Sequence, residues 1–275
     1  MIHIVTDSTA DIPADLCREL DIAVVPAHII FGMETFEDGI TLTRDEFYHR
    51  LADASQLPTT SAPSPGEFSE VYQRLGGKIV SIHLASRLSA IYSAAYGASE
   101  MTANVSVTVF DTTQLSMGIG WQVIAAARAA KQGQSADQII KLLEDIRPRI
   151  RLFAVLDTLE YLQRSGRVGW LRGFLGQMLH IKPVVQVADG EVNLIDRIRT
   201  RHKSIERLKE LVLSLGPIES LAVLHTHAHA DAQTLADDFA KLFPALRESI
   251  LISEATTTIG SYAGSNALGV AVVVA

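Results

Sequence analysis

Disulfides are excluded at once, because the 275-residue chain contains a single cysteine, Cys17. A lone thiol fits a reducing compartment, so a cytoplasmic protein is expected. Cys17 sits in the amphipathic stretch Ala14 to Leu20 and reads as a core-facing residue rather than a nucleophile. Long apolar runs are missing too: none approaches the roughly 18 residues needed to cross a bilayer, and no membrane span is expected. The opening Met1-Ile2-His3-Ile4-Val5 lacks the charged start and extended apolar core of a signal peptide. Positive charge is in deficit. With 24 Lys and Arg against 31 Asp and Glu, the formal net charge is −7, which argues against nucleic acid as a partner. The chain has no GxSxG, P-loop, HExxH or GxGxxG motif, so nothing in it calls for a cofactor. No self-contained catalytic constellation stands out, which disfavours an autonomous enzyme.

What is present is an ordinary globular composition, 48% hydrophobic, in a chain longer than the common domain size of about 100–150 residues. Two domains are expected, 1–150 and 151–275. In the first, short apolar runs (Ile2–Val5, Ala23–Val25, Lys78–Ile82, Val105–Val109) alternate with helical patterns (Pro13–Leu20, Thr43–Ala52, Ser64–Leu75, Leu88–Met101, Met117–Lys131). That alternation predicts an α/β fold with a doubly wound parallel sheet, helices on both faces. In the second, a strand at Leu152–Val155 is followed by two apolar runs, Ile181–Val187 and Val192–Ile195. They flank Asp189-Gly190, a tight-turn signal. Helices near Ser204–Leu215 and Ala230–Phe243, with strands at Leu221–His225, Ser249–Ser253 and Val270–Val274, predict a two-layer α/β domain with a mixed sheet.

Candidate site residues fall into three chemical groups. Hydroxyls cluster in Thr59-Thr60-Ser61-Ala62-Pro63-Ser64, in Ser86-Arg87-Leu88-Ser89, and in Asp111-Thr112-Thr113 with Ser116. Beside a helix N-terminus such residues bind anions, but the same residues are also favoured as caps and turns. Val5-Thr6-Asp7-Ser8-Thr9 and Val109-Phe110-Asp111-Thr112-Thr113 echo one another, each a strand running into Asp and hydroxyls. Arginines concentrate in Arg164-Ser165-Gly166-Arg167-Val168-Gly169 and in Arg197-Ile198-Arg199-Thr200-Arg201-His202-Lys203, where a planar fork suits carboxylate or phosphate. His225, His227 and His229 alternate at metal-like spacing, but no completing ligand pattern follows, and no metal is expected.

Taken in order, several segments resemble the DegV family. They are Ile4 to Pro13, Thr60-Ser61-Ala62-Pro63-Ser64, Leu84 to Tyr92, Asp111 to Gly120, Leu159 to Val168, Ile181-Lys182-Pro183 and Arg199-Thr200-Arg201. The resemblance spans essentially the whole chain. It implies a two-domain protein that binds a long-chain fatty acid between its domains and presents the carboxylate to a separate fatty acid kinase. It puts Thr60, Ser61 and Ser89 near the carboxylate, Ser86 among the ligand-binding residues, Arg167 at the head group, and Arg199 and Arg201 toward a phosphate or the kinase. Two positions depart from the family pattern. Tyr262 stands where the family has histidine, in Gly260-Ser261-Tyr262-Ala263-Gly264, and its hydroxyl can also donate. Ala90 stands where the family has glycine. Two alternatives stay open beside this one: a kinase-like protein acting on a small hydroxy compound, and a regulatory protein binding another acidic ligand.

Overall fold

The computed structural model describes residues 2–54, 56–168 and 181–275. Four strands, β1 (Ile2–Asp7), β2 (Ile22–Val25), β6 (Lys78–His83) and β7 (Ser106–Asp111), form an all-parallel sheet in the order β2-β1-β6-β7. Strands of such a sheet are apolar on both faces because helices cover both, which is why Ile4, Val5, Ile79, Val80 and Ile82 are all buried. Around this sheet pack α1 (Ala14–Glu19), α3 (Pro65–Leu75), α4 (Ile91–Met101), α5 (Met117–Lys131) and α6 (Ala136–Ile146). Ser64 and Ser135 each open a helix through a capping box, with Glu67 and Gln138 reaching back.

Sheet membership changes at Ile150. From there β8 (Ile150–Val155), β9 (Lys182–Ala188), β10 (Glu191–Ile198), β11 (Ile218–His225), β12 (Leu251–Glu254) and β13 (Leu268–Val274) build a mixed sheet, β10-β9-β8-β13-β11-β12. Only β11 and β12 are parallel to each other; the other neighbours are antiparallel. The β9–β10 hairpin turns at Asp189 and Gly190, both at positive φ, as its sequence predicts. Helices α8 (Arg201–Leu213) and α9 (His229–Leu242) cover one face of this sheet with Leu208, Val212, Leu235 and Phe239.

The apolar core runs across the boundary at Ile150. Helix α5 lies between the sheets, touching β1 and β6 on one side and β8, β11 and β13 on the other. It is apolar nearly all round, and the Trp121 indole N–H donates to the Ala271 carbonyl at 3.0 Å.

Five strands and helices were not legible in the sequence, among them α7 (Glu160–Ser165). A small antiparallel sheet is made of β4 (Glu34–Glu37), β3 (His28–Phe31) and β5 (Thr59–Ser61), with α2 (Arg44–Asp53) beside it. The fifth is α10 (Thr257–Ala263), which leads into β13. β5 is only three residues long, and α10 is built from Thr, Ser and Gly, types that favour caps and turns over helix interiors.

Candidate ligand-binding site

A cavity of about 360 Å3 lies between the two large sheets, within the size range of small-molecule sites of about 300–1,000 Å3. Its floor is one face of the mixed sheet. Leu152, Ala154 and Leu156, spaced two apart along and just past β8, point into it with Val185 and Val187 of β9. The intervening Phe153, Val155 and Val184 point the other way, into the core under α8 and α9. Its roof comes from segments that follow parallel strands: Ala27 after β2, Leu84 and Leu88 after β6, and Leu115 after β7. This is the usual place for ligands in open α/β sheets, outside the carboxyl ends of the strands.

Polar side chains also line the cavity. Thr60 and Ser61 come from β5, Ser89 from the turn before α4, Ser165 and Arg167 from the end of α7 (Glu160–Ser165), and Thr258 and Tyr262 from α10. The Thr60 and Tyr262 hydroxyls are hydrogen-bonded to each other. The Arg167 guanidinium lies 4.6 Å over the Tyr262 ring, and its Nε donates to the Leu88 carbonyl at 3.3 Å. On the far side of this group a second hollow, of about 490 Å3, shares Thr60, Ser165, Arg167 and Tyr262 and adds Gln56, Tyr161 and Arg164. The four shared residues thus stand between an apolar chamber and a more polar one.

Two glycines let α10 reach this position. A Cβ on Gly260 would come within 2.7 Å of the Tyr48 hydroxyl and 2.9 Å of Phe47. Gly264 ends the helix at φ +70°, and a Cβ there would collide with the Tyr161 ring.

Of the residues singled out from the sequence, Thr60, Ser61, Ser89, Arg167 and Tyr262 line one cavity. Ser86 does not: it is exposed in the turn after β6, and its backbone N–H donates to Asp111 at 3.3 Å. Arg199 is exposed just past β10. Arg201 is engaged within the protein, with Nη2 2.7 Å from Asp231 and Nη1 donating to the Asn266 carbonyl. Gly169 lies outside the described residues. The Asp-hydroxyl echo is structural. Asp7 accepts from the Thr9 N–H and hydroxyl, Asp111 accepts from the Thr113 N–H, and the Thr112 hydroxyl donates to His83. Burial pushes the Cys17 thiol up to about 11, the opposite of an activated nucleophile.

The sequence pattern also hid two buried polar networks. In the first, Tyr72, Ser81, His83 and Asp7 form a chain, with Tyr72–Ser81 at 2.8 Å, Ser81–His83 Nε2 at 2.6 Å and His83 Nδ1–Asp7 at 2.9 Å. The order serine, histidine, aspartate matches a hydrolase triad, yet all four side chains are fully buried and none lines the cavity. A nucleophile must reach its substrate, so this chain acts as a core polar network. In the second, two buried carboxylates tie α10 to the first half of the chain. Asp38 accepts from the Thr257 N–H and hydroxyl, the Thr258 hydroxyl and the Ser8 hydroxyl. Asp11 accepts from the Thr256 N–H and the Ser116 hydroxyl.

Fold and site together define an α/β protein whose two large sheets enclose a mostly apolar pocket that hydroxyl and guanidinium groups also line. The chain belongs to the DegV family: the family model described as "Uncharacterised protein, DegV family" matches residues 1–275. Protein DegV of Bacillus subtilis is 33% identical over 276 residues, covering 98% of each chain. Its crystal structure, described as that of a fatty acid binding protein, matches with a TM-score of 0.89 at 31% identity, over 100% of this chain and 99% of that one. A DegV family protein from Thermus thermophilus, described by its fatty acid binding, matches with a TM-score of 0.88 at 30% identity, again over 100% and 99%. Among the described residues no helix is long and apolar enough to cross a membrane.

Proposed function

We propose that this protein binds a long-chain fatty acid in the cavity between its sheets and presents the carboxylate to a separate kinase for acyl-phosphate formation. The observation that carries the reading is the make-up of the pocket: a mostly aliphatic lining, with Arg167 seated over the ring of Tyr262, whose hydroxyl is bonded to Thr60. Each buried CH₂ contributes about 0.8 kcal/mol, so a long acyl chain gains on the order of 10 kcal/mol before the costs of association. A carboxylate cannot enter such a site unpaired. Tyr262 and Thr60 would exchange their mutual bond for two donations to the ligand, with Ser61, Ser89 and Arg167 in the same lining. The two relatives described as fatty acid binding, each at least 30% identical, support the ligand class.

Catalysis is assigned to a partner because the one serine–histidine–aspartate chain identified above is sealed in the core. The exposed Arg199 and the polar chamber beside Arg164 and Arg167 are the surfaces offered to that partner. Lipid extraction and native mass spectrometry of the purified protein test the first half. A co-purifying C16–C18 acid, or a raised melting temperature with palmitate or oleate, is expected. Repeated absence of both overturns it. Phosphorylation of the bound acid by the host's kinase fraction, lost in an Arg199→Ala, Arg164→Ala double variant that still binds the acid, tests the second half.

A further inference from the structure

The small sheet beside the cavity brings together three ligating side chains that lie far apart in the chain. His28 on β3 stands directly opposite Glu37 on β4, so the two side chains share a face. Glu67 comes from the first turn of α3. Its Oε2 accepts from the Ser64 N–H and hydroxyl, both at 2.7 Å, which leaves Oε1 aimed at His28 Nε2, 3.0 Å away. One ligating atom from each of His28, Glu37 and Glu67 lies within 4.8 Å of the other two, and all three residues are half-buried. Each backbone is fixed separately, by a strand, by its partner strand and by a capped helix start.

We propose that His28, Glu37 and Glu67 form a divalent transition-metal site, with zinc as the best-fitting ion. One imidazole and two carboxylates are nitrogen and oxygen donors of the types zinc accepts, and three protein ligands leave a fourth position open to water. The rival explanation is a simple His28–Glu67 ion pair, in which Glu37 has no part. Glu37 therefore separates the two.

The site also borders the cavity. His28 pairs with Ser61 on β5, and Ser61 lines the pocket. Bound metal would fix β3, β4 and α3 around that strand.

A competing zinc ligand set must be kept apart. His225, His227 and His229 surround a separate hollow of about 420 Å3 with Asp45 and Glu254. Among the described residues no three of these bring ligating atoms within 4.8 Å of one another, and His225 Nδ1 accepts from the Ala228 N–H at 3.3 Å.

The test is calorimetric titration of zinc chloride into the metal-free, untagged full chain at near-neutral pH. One equivalent is expected to bind, with a rise in melting temperature. Glu37→Gln and Glu67→Gln are each expected to weaken zinc at least about tenfold, since loss of a mere outer-shell partner already costs that much. Glutamine at position 67 can still close the capping box, so Glu67→Gln is expected to fold. A His227→Ala, His229→Ala double variant is expected to bind zinc as the parent does. Absence of zinc binding, binding unchanged by Glu37→Gln, or binding lost in the double-histidine variant would each overturn the proposal.

Discussion

Thr60 and Tyr262, 202 residues apart, share a hydrogen bond that joins β5 of the first half of the chain to α10 of the second. Both residues line the cavity, and the Arg167 guanidinium lies over the Tyr262 ring. Tyr262→Phe keeps the ring under the guanidinium and removes only the hydroxyl. On the proposed function, fatty-acid affinity falls by about 1.5–3 kcal/mol, the range for a hydrogen bond to a charged group. Calorimetry with oleate checks this. Ser89→Ala is expected to act in the same direction, although Ser89 also accepts from the Ile91 N–H, so its melting temperature is to be measured alongside.

Ala154 tests the body of the pocket. It points into the cavity from the middle of the sheet floor. Ala154→Phe fills the space an acyl chain would use, and binding is expected to be lost while the far-ultraviolet circular dichroism is unchanged. Retained affinity in a folded variant would move the ligand out of this cavity.

Gly264→Ala addresses the glycine frame of α10. The substitution forces a Cβ against Tyr161 at a left-handed backbone position. The expected loss is about 1–3 kcal/mol in denaturant titration, read from the midpoint at constant slope. A neutral result would mean that Tyr161 has room to move aside.

Asp11 gives the protein a pH dependence. Burial, outweighing the bonds from Ser116 and Thr256, pushes its carboxyl up from 3.8 to about 7. A group raised in the folded state contributes stability fully below 3.8 and loses it as pH rises through about 7. His225 acts in the opposite sense. Burial, then the neighbouring His229, lowers it from 6.5 to about 4, so its contribution is lost as pH falls through that window. Asp11→Asn keeps an acceptor for Thr256 and a polar partner for Ser116 while removing the titration. The melting temperature of the variant relative to the parent is therefore expected to rise between about pH 4 and about pH 7 and to level off above that. A difference independent of pH would show that Asp11 does not titrate there.

Ser81→Ala separates the buried polar chain from a catalytic triad. It strips a partner from the Tyr72 hydroxyl and from His83 Nε2, which is expected to cost about 1–3 kcal/mol of stability. Fatty-acid binding of the folded variant is expected to be unchanged. The parent protein is expected to resist a serine-directed fluorophosphonate, and stoichiometric labelling of Ser81 would contradict the assignment.

How much of this was present in the amino-acid order varies with the range of the interaction. The strand–helix alternation of the first half, the capping serines at 64 and 135, helix Met117–Lys131 and the Asp189-Gly190 hairpin are all local signals, set by hydrophobic period and turn chemistry. The hydroxyls at 60, 61 and 89, Arg167 and Tyr262 could be named because they sit in short motifs. That they share one site was implied by the family resemblance, while hydrophobic period and spacing alone do not bring them together. Leu152, Ala154, Val185 and Val187 have the same apolar character as Phe153, Val155 and Val184, and only the packing of α8 and α9 on one side decides which set is core and which lines a pocket. Arg201 and Arg199 look alike in a basic run. Tertiary contact with Asp231 and Asn266 ties the first into the fold, while the second stays exposed. His28, Glu37 and Glu67 carry no spacing that marks a ligand set, because strand pairing and helix capping, rather than sequence distance, bring them together. Local composition thus determined the elements and the types of group available. Which of those groups face one another was decided by long-range packing, since side chains distant in the chain meet only after the sheets have formed.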